Sequence, residues 1–189
     1  MTIDILNLEW NSSPSRDRES ASLVCNYLRL QGYKVKEKSV FNAIYEINKY
    51  KPKVIFISNS SGALINLDVV KYAKSKGINV LTSTAEGNFR KEYVEEFFWG
   101  VNKDQVLYED ITCLWSHRSK EMVDKSYPEV SEKVFLSGGV GFDRYKICDN
   151  ETDEDYFREL KEKYDAIVCV SCWSFDFLLE DTPKIISKE

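Results

Sequence analysis

Glu86 is the residue of this sequence whose type and setting best suit acid–base chemistry. It follows a predicted strand over residues 78–81 and precedes Gly87, within the loop TSTAEGNFR of residues 82–90. A carboxylate at a strand end can act as a general base, and a neighbouring glycine lets a substrate come close. The alternative is an ordinary surface or helix-capping glutamate, a common residue in proteins. The loop therefore predicts a candidate base, with the capping role left open.

Histidine and cysteine offer little further chemistry. His117 is the only histidine, so a multi-histidine metal site is excluded. It follows a predicted strand and could bind a phosphate or a sugar hydroxyl, or be a simple loop residue. The five cysteines are odd in number and scattered, which favours reduced thiols in the cytoplasm. Cys169 and Cys172 form a C-x-x-C pattern at a predicted strand end rather than a helix start, so we interpret them as core residues and predict no metal site.

The elements that must position these residues alternate between strand and helix. Strands are predicted over residues 3–8, 33–38, 54–57, 78–81, 111–115, 134–136 and 166–171, and helices over 17–31, 41–50, 67–75, part of 86–99, 120–125 and 153–163. The continuous apolar run of residues 54–57 is typical of a strand buried on both faces, and so of the sheet centre. The alternation predicts an α/β fold, an open Rossmann-like parallel sheet of about six strands with helices on both faces.

Four polar loops follow the predicted strands, over residues 9–18, 58–66, 82–90 and 138–144. Open α/β sheets bind ligands outside the carboxyl ends of their strands, although surface loops are polar in any case. The first loop lacks Gly-x-Gly-x-x-Gly, and the chain has no P-loop motif. A dinucleotide at the usual place and a P-loop nucleotidase are therefore not expected, and no cofactor is predicted.

Composition and charge exclude other classes of protein. The 189 residues are 43% hydrophobic, enough for a normal core, and the net charge is −5. An acidic chain has no basic field to attract a phosphate backbone, so nucleic-acid binding is not expected. No stretch approaches the ~20 apolar residues of a membrane span. The first residues show no signal peptide, and a cytoplasmic location is expected.

Short motifs, taken in order over residues 3–171, resemble a known family. They are Arg18-Glu19, LQGY at 30–33, ISNS at 57–60, GINV at 77–80, EGNF at 86–89, Trp99-Gly100 and the segment 138–143. Their order and spacing are similar to the amino-terminal domain of bacterial surface-carbohydrate biosynthesis proteins. These are GT-B-type glycosyltransferases, distantly similar to the CDP-glycerol glycerophosphotransferases. The family usually has Gly-Asn-Pro-Arg-Phe-Asp where this chain has GVGFD at 139–143, so the contact there is expected to differ.

The resemblance implies the acceptor-binding half of a glycosyltransferase that makes surface polysaccharide or capsule. The hydroxyl of a carbohydrate acceptor would lie over Glu86, which would take its proton as a sugar is transferred from a nucleotide. No metal is needed if helix dipoles and backbone donors stabilise the leaving phosphate. The implied substrate-binding residues, with Arg18 near the mouth of the cleft, are Arg18, Ser58, Asn59, Ser60, Gly87, Asn88, His117, Gly139 and Asp143.

The resemblance also implies a domain organisation. Residues 1–148 would form a Rossmann-like acceptor-side domain, residues 149–164 an acidic linker and helix, and residues 165–189 the start of a truncated second domain. In such enzymes the second domain binds the nucleotide-sugar donor. A separately encoded donor-binding chain or a homo-oligomer is therefore the expected partner, and the chain alone should be inactive. The alternative is a non-catalytic binding or scaffolding α/β domain that works with a partner chain.

Overall fold

A computed structural model of the protein describes residues 2–10, 16–84, 86–87, 89–143 and 151–166. Its strands are β1 (Ile5–Glu9), β2 (Val35–Ser39), β3 (Val54–Ser58), β4 (Asn79–Ser83), β5 (Ile111–Leu114) and β6 (Val134–Leu136). Its α-helices are α1 (Arg16–Leu30), α2 (Ala43–Tyr50), α3 (Leu64–Ser75), α4 (Val94–Trp99), α5 (His117–Ser126) and α6 (Glu151–Lys163). Short 3₁₀ turns cover Val40–Asn42, Lys91–Tyr93, Pro128–Lys133 and Val140–Phe142.

The strands form one parallel sheet with the order β2-β1-β3-β4-β5-β6. Leu6 of β1 lies opposite Ile55 of β3, and Phe56 of β3 lies opposite Leu81 of β4. The predicted open parallel sheet is thus confirmed, and so is the interior position of the apolar strand β3. The chain goes from β1 outward to β2 and then returns past β1 to β3, so the order of the strands reverses between β1 and β3.

Helices cover both faces of the sheet, as the right-handed rule for parallel crossovers requires. The connection from β1 to β2 runs in the opposite direction to the others, which places α1 on one face, with Cys25 packed against Phe56 in its core. On the other face α2 and α3 bury Ile47 and Val70 against β1 and β3. Farther along that face, α4 and α5 form a separate core around Leu114.

Three helices begin earlier than the sequence predicts, and the first of them is α3, which starts at Leu64 rather than at residue 67. Helix α5 starts at His117 rather than at residue 120, because Ser116 caps it in a reciprocal capping box with Ser119. Helix α6 starts at Glu151, so most of the acidic stretch predicted as a linker is helical.

The chain divides into two compact units, with the boundary between residues 148 and 149. The described part of the second unit is residues 151–166, chiefly α6. The predicted strand over residues 166–171 and the Cys169–Cys172 pattern lie outside the described residues, apart from Ala166. Within the described ranges, no helix is both long and apolar enough to span a membrane.

Candidate functional site

The reversal of strand order between β1 and β3 creates a crevice at the carboxyl edge of the sheet. In open α/β sheets this switch point is the usual place for a ligand, because the connections from the two strands leave in opposite directions. Glu9 is the last residue of β1 and Ser58 the last of β3. We call the group formed by Asn7, Glu9, Ser58, Asn59 and Asn66 the switch-point cluster.

Glu9 is a buried carboxylate that neighbouring donors hold in place. Its side chain accepts hydrogen bonds at Oε1 from Asn7 Nδ2 (3.0 Å) and from the backbone N–H of Ser58 (2.9 Å). The residue is only 5% exposed. Burial raises the pKa of Glu9 to about 7, although the Asn7 and Ser58 donors favour its charged form. A carboxyl group with a pKa near neutrality can both take and release a proton under physiological conditions.

Asn66, in the first turn of α3, ties the ends of β1 and β3 together. Its Nδ2 donates to the carbonyl of Asn59 (3.1 Å) and more weakly to that of Ser58 (3.4 Å). Its Oδ1 accepts a hydrogen bond from Nε1 of Trp10 at 3.1 Å. The Trp10 ring also meets the ring of Phe41 edge to face, with centroids 5.0 Å apart, and is 43% exposed. The crevice therefore has an aromatic rim fixed to its polar floor.

Asn59 has a left-handed backbone with a φ of 52°, which turns the chain sharply out of β3. The N–H of Asn59 donates to the carbonyl of Ser83 at 2.7 Å. The carbonyl of Asn59 accepts a hydrogen bond from the N–H of Gly62 at 3.0 Å. A Cβ at Gly62 would lie 2.1 Å from Asn59 Nδ2, so only glycine leaves room for the amide. The predicted residues Ser58, Asn59 and Ser60 therefore lie together, but Ser58 and Ser60 are buried.

A second cluster at the same edge forms around Trp115, just beyond β5. Its Nε1 donates to the carbonyl of Thr84 at 2.7 Å. A Cβ at Gly87 would lie 2.3 Å from the Trp115 side chain, and one at Gly139 would lie 3.1 Å from it. Gly87, predicted to let a substrate come close, and Gly139, an implied substrate-binding residue, thus each have a packing reason to be glycine, because the indole of Trp115 occupies the space beside them.

The segment that carries Gly139 also reaches α1. A Cβ at Gly141 would lie 2.9 Å from Oγ of Ser20 in that helix. Arg18 lies in the first turn of α1, and its residue is exposed, as are Glu86 and Asp143. His117 is the exposed first residue of α5. Asn88 lies outside the described residues, so its predicted contact is not placed.

Sequence reasoning missed the three residues that organise the crevice, Glu9, Asn7 and Asn66. Asn7 and Glu9 interrupt an otherwise apolar strand on one face, where a parallel sheet is normally covered by helices. Polar residues at two successive inward positions were the signal that could have found them. Nothing in the sequence marks Asn66, because its role depends on strand ends that only folding brings together.

The described cysteines are poor candidates for nucleophilic chemistry. Cys25 and Cys113 carry free thiols. Burial raises the pKa of the Cys25 thiol to about 12 and also raises the pKa of Cys113, so neither is a ready thiolate. Among the described residues no group of three or more histidine, cysteine or acidic side chains is arranged to hold a metal ion.

Known proteins resemble this chain in fold rather than in sequence. No protein-family model matches it, and no curated protein sequence matches it. The solved structure of UDP-N-acetylglucosamine 2-epimerase from Rickettsia bellii superimposes with a TM-score of 0.56 at 11% identity. The fold is GT-B-like. The match covers 85% of this chain and 52% of the epimerase chain, so this chain spans about half the length of that neighbour.

Proposed function

We propose that this chain is the acceptor-binding half of a GT-B-type glycosyltransferase in bacterial surface polysaccharide biosynthesis. The observation that carries the proposal is the switch-point cluster, which gathers Glu9 and Asn59 where open α/β sheets bind ligands. A further support is that the Rickettsia bellii neighbour, which shares the GT-B-like fold, is named for a UDP-sugar. A carbohydrate acceptor binds at this edge, and a separate donor-binding chain or a second copy supplies the nucleotide-sugar.

In this proposal the exposed groups of the edge contact the acceptor. Asn59 is the partly exposed member of the β3 loop and bonds acceptor hydroxyls, while the buried Ser58 and Ser60 support it. Arg18 contributes from the start of α1. His117, Gly87, Gly139 and Asp143 complete the proposed rim, and Asn88 remains a predicted contact outside the described residues.

Proton transfer has two candidate carboxylates, and they differ in burial. Glu86 is exposed in the loop beyond β4 and takes the proton of the acceptor hydroxyl as general base. Glu9 is the alternative, because its pKa of about 7 suits a group that exchanges protons near neutrality. The two candidates can be separated by the dependence of the transfer rate on pH. If Glu9 is the base, replacing it removes the change in rate near pH 7, whereas replacing Glu86 leaves that change in place.

The decisive assay measures sugar transfer in a lysate with and without a candidate donor-binding partner. Loss of a general base typically slows a reaction by ~10²–10⁴-fold, so Glu86→Gln should transfer that much more slowly and melt like the parent. Glu121→Gln, on the exposed side of α5, is the matched control and should transfer normally. A Glu86→Gln variant that transfers at nearly the parent rate removes Glu86 from catalysis. A slow Glu9→Gln variant without the neutral titration would assign the proton transfer to Glu9.

A binding measurement on the chain alone tests whether it binds the acceptor and leaves the nucleotide-sugar to a separate partner. The sequence that follows the first strand contains no glycine-rich phosphate-binding turn. Calorimetry with UDP-, CDP- and GDP-sugars should therefore show no tight binding to this chain. Micromolar binding of any of them contradicts the acceptor-half proposal.

The second candidate function is a non-catalytic binding or scaffolding domain. It is favoured by the burial of Ser58 and Ser60, which limits their contact with a substrate. Transfer that never depends on this chain, combined with stable capture of a partner chain, would select the scaffold. Transfer that needs this chain and falls with Glu86→Gln would select the enzyme half.

A further inference from the structure

A small cavity lies on the face of the sheet opposite Glu9, between β4, β5 and α4. Thr82 and Thr112, paired in register, form its floor, and Asn102 and Glu109 come from the segment between α4 and β5. Ser61 of the β3 loop closes one side. Ser61 Oγ donates to the carbonyl of Phe98 at 3.1 Å, which fixes that wall to α4.

Three buried oxygens of this cavity have no hydrogen-bond partner among the described residues. They are Oδ1 of Asn102, Oε2 of Glu109 and Oγ1 of Thr112, on residues that are 3%, 3% and 5% exposed. Nδ2 of Asn102 donates to the carbonyl of Val106 at 2.9 Å. The other polar atom of this amide, Oδ1, remains available to accept a hydrogen bond or to bind a cation. Each buried polar atom without a partner costs roughly 1–3 kcal/mol, and such groups in native proteins usually meet a water or an ion.

The charge of Glu109 is not met by a basic side chain of the cavity. No lysine, arginine or histidine is among the lining residues that the structure describes. The nearby Lys74 binds both carboxylate oxygens of Asp110 at 2.7 Å. Lys133 donates to the carbonyl of Leu107 at 2.8 Å. Buried charges in proteins are usually paired with an opposite charge or bind a metal ion. Because no basic side chain lines this cavity, a cation from solution is the available partner for the Glu109 carboxylate.

We propose that this cavity binds one dehydrated monovalent cation, Na⁺ or K⁺. Apart from Nε1 of Trp99, whose ring lies against Tyr127, the unpartnered buried atoms of the lining are oxygens. Only one of these oxygens belongs to a carboxylate, which matches a single positive charge. About 20 Å³ is open to the centre of a water-sized sphere. One water needs roughly 10–15 Å³ of such space, so one ion fits. Mg²⁺ and Ca²⁺ each carry two charges against the one carboxylate of the cavity, and Mg²⁺ also retains several waters for which there is no room.

The ion would connect three segments of the chain. Through Glu109 and Asn102 it holds the connection between α4 and β5, and through Thr112 it holds β5 itself. Ser60 and Ser61 line the same cavity, so the loop that carries Asn59 gains support. This inference is independent of the proposed glycosyltransferase function, because it concerns stability and can hold whatever the chain binds at its edge.

Thermal melting of the whole chain tests the site directly. Unfolding is followed at pH 7.5 in NaCl, KCl or tetramethylammonium chloride, all at the same ionic strength. A cation bound only by the folded state raises the Tm in a saturable way. We expect NaCl or KCl to raise it by roughly 2–5 °C over tetramethylammonium chloride. An equal Tm in all three salts overturns the proposal.

Matched variants tie the effect to this cavity. Glu109→Gln keeps the shape but removes the charge, and Thr112→Val removes one oxygen at constant size, so both should lose the selective rise in Tm. Glu121→Gln removes one exposed charge from α5 and should keep it. If Glu109→Gln does not fold, ²³Na line broadening by the parent and by Thr112→Val gives the same comparison. A selective rise or line broadening that survives Thr112→Val overturns the proposal.

Discussion

Glu9 and Glu109 are both buried glutamates, but opposite faces of one sheet provide them with different surroundings. Glu9 accepts hydrogen bonds from Asn7 and from the Ser58 N–H, whereas Oε2 of Glu109 has no donor among the described residues. Two equally buried carboxylates can therefore differ in how many hydrogen-bond donors the protein provides for them. The Glu9 crevice is organised by the protein's own donors, and the Glu109 cavity is complete only when a cation from solution occupies it.

The largest expected effect comes from removing the Glu9 side chain. At pH 5 in tetramethylammonium chloride, Glu9→Ala should lower the free energy of unfolding by about 3 kcal/mol, because two buried donors lose their acceptor. Glu109→Ala, the matched control, should cost less than half as much, since it leaves no donor unpaired. Urea unfolding of both variants measures the difference. Equal costs would contradict the contrast between the two glutamates.

The next effect is a dependence of stability on pH that belongs to Glu9. Its pKa is raised from 4.5 to about 7 in the folded protein, so between these values the folded state binds more protons than the unfolded state. Stability is therefore highest below the unfolded pKa and falls as pH rises through 7, by on the order of 2–3 kcal/mol from pH 5 to 8. Glu9→Gln should flatten this part of the unfolding profile. An unchanged slope in that variant would assign the titration to another group.

A smaller effect is expected at Glu109 when no suitable cation is present. At pH 8 in tetramethylammonium chloride, Glu109→Gln should raise the free energy of unfolding by about 1 kcal/mol, since it removes a buried charge that lacks a counter-charge. The exposed control Glu121→Gln should change it by less than about 0.5 kcal/mol. Destabilisation by Glu109→Gln in this salt would mean that a protein donor holds the carboxylate.

The smallest effect concerns the rim of the crevice. Trp10→Phe keeps an aromatic ring beside Phe41 but loses the hydrogen bond from Nε1 to Asn66, so it should lower the free energy of unfolding by about 0.5 kcal/mol. Tyr33→Phe, on an exposed ring, is the control and should have little effect. Equal stabilities of parent and Trp10→Phe would show that Asn66 keeps its place without the indole.

Much of the fold could be predicted from local patterns. The apolar run 54–57 predicted an interior strand, and β3 is one, because a strand covered on both faces needs apolar residues at every position. Helix starts were less predictable. Helix α5 begins at His117 because Ser116 and Ser119 cap each other, a contact with a weak sequence pattern.

The sequence by itself determined the alternation of elements, and with it the parallel sheet and the edge at which polar loops gather. Only the tertiary structure decided which polar residues meet at that edge. Ser58 and Glu9 are 49 residues apart and are hydrogen-bonded because β1 and β3 are neighbours in the sheet. Trp115 lies so close to Gly87 that a Cβ there would be 2.3 Å from its side chain, a contact between residues that the sequence does not link. Such contacts join distant parts of the chain, so local periodicity carries no information about them.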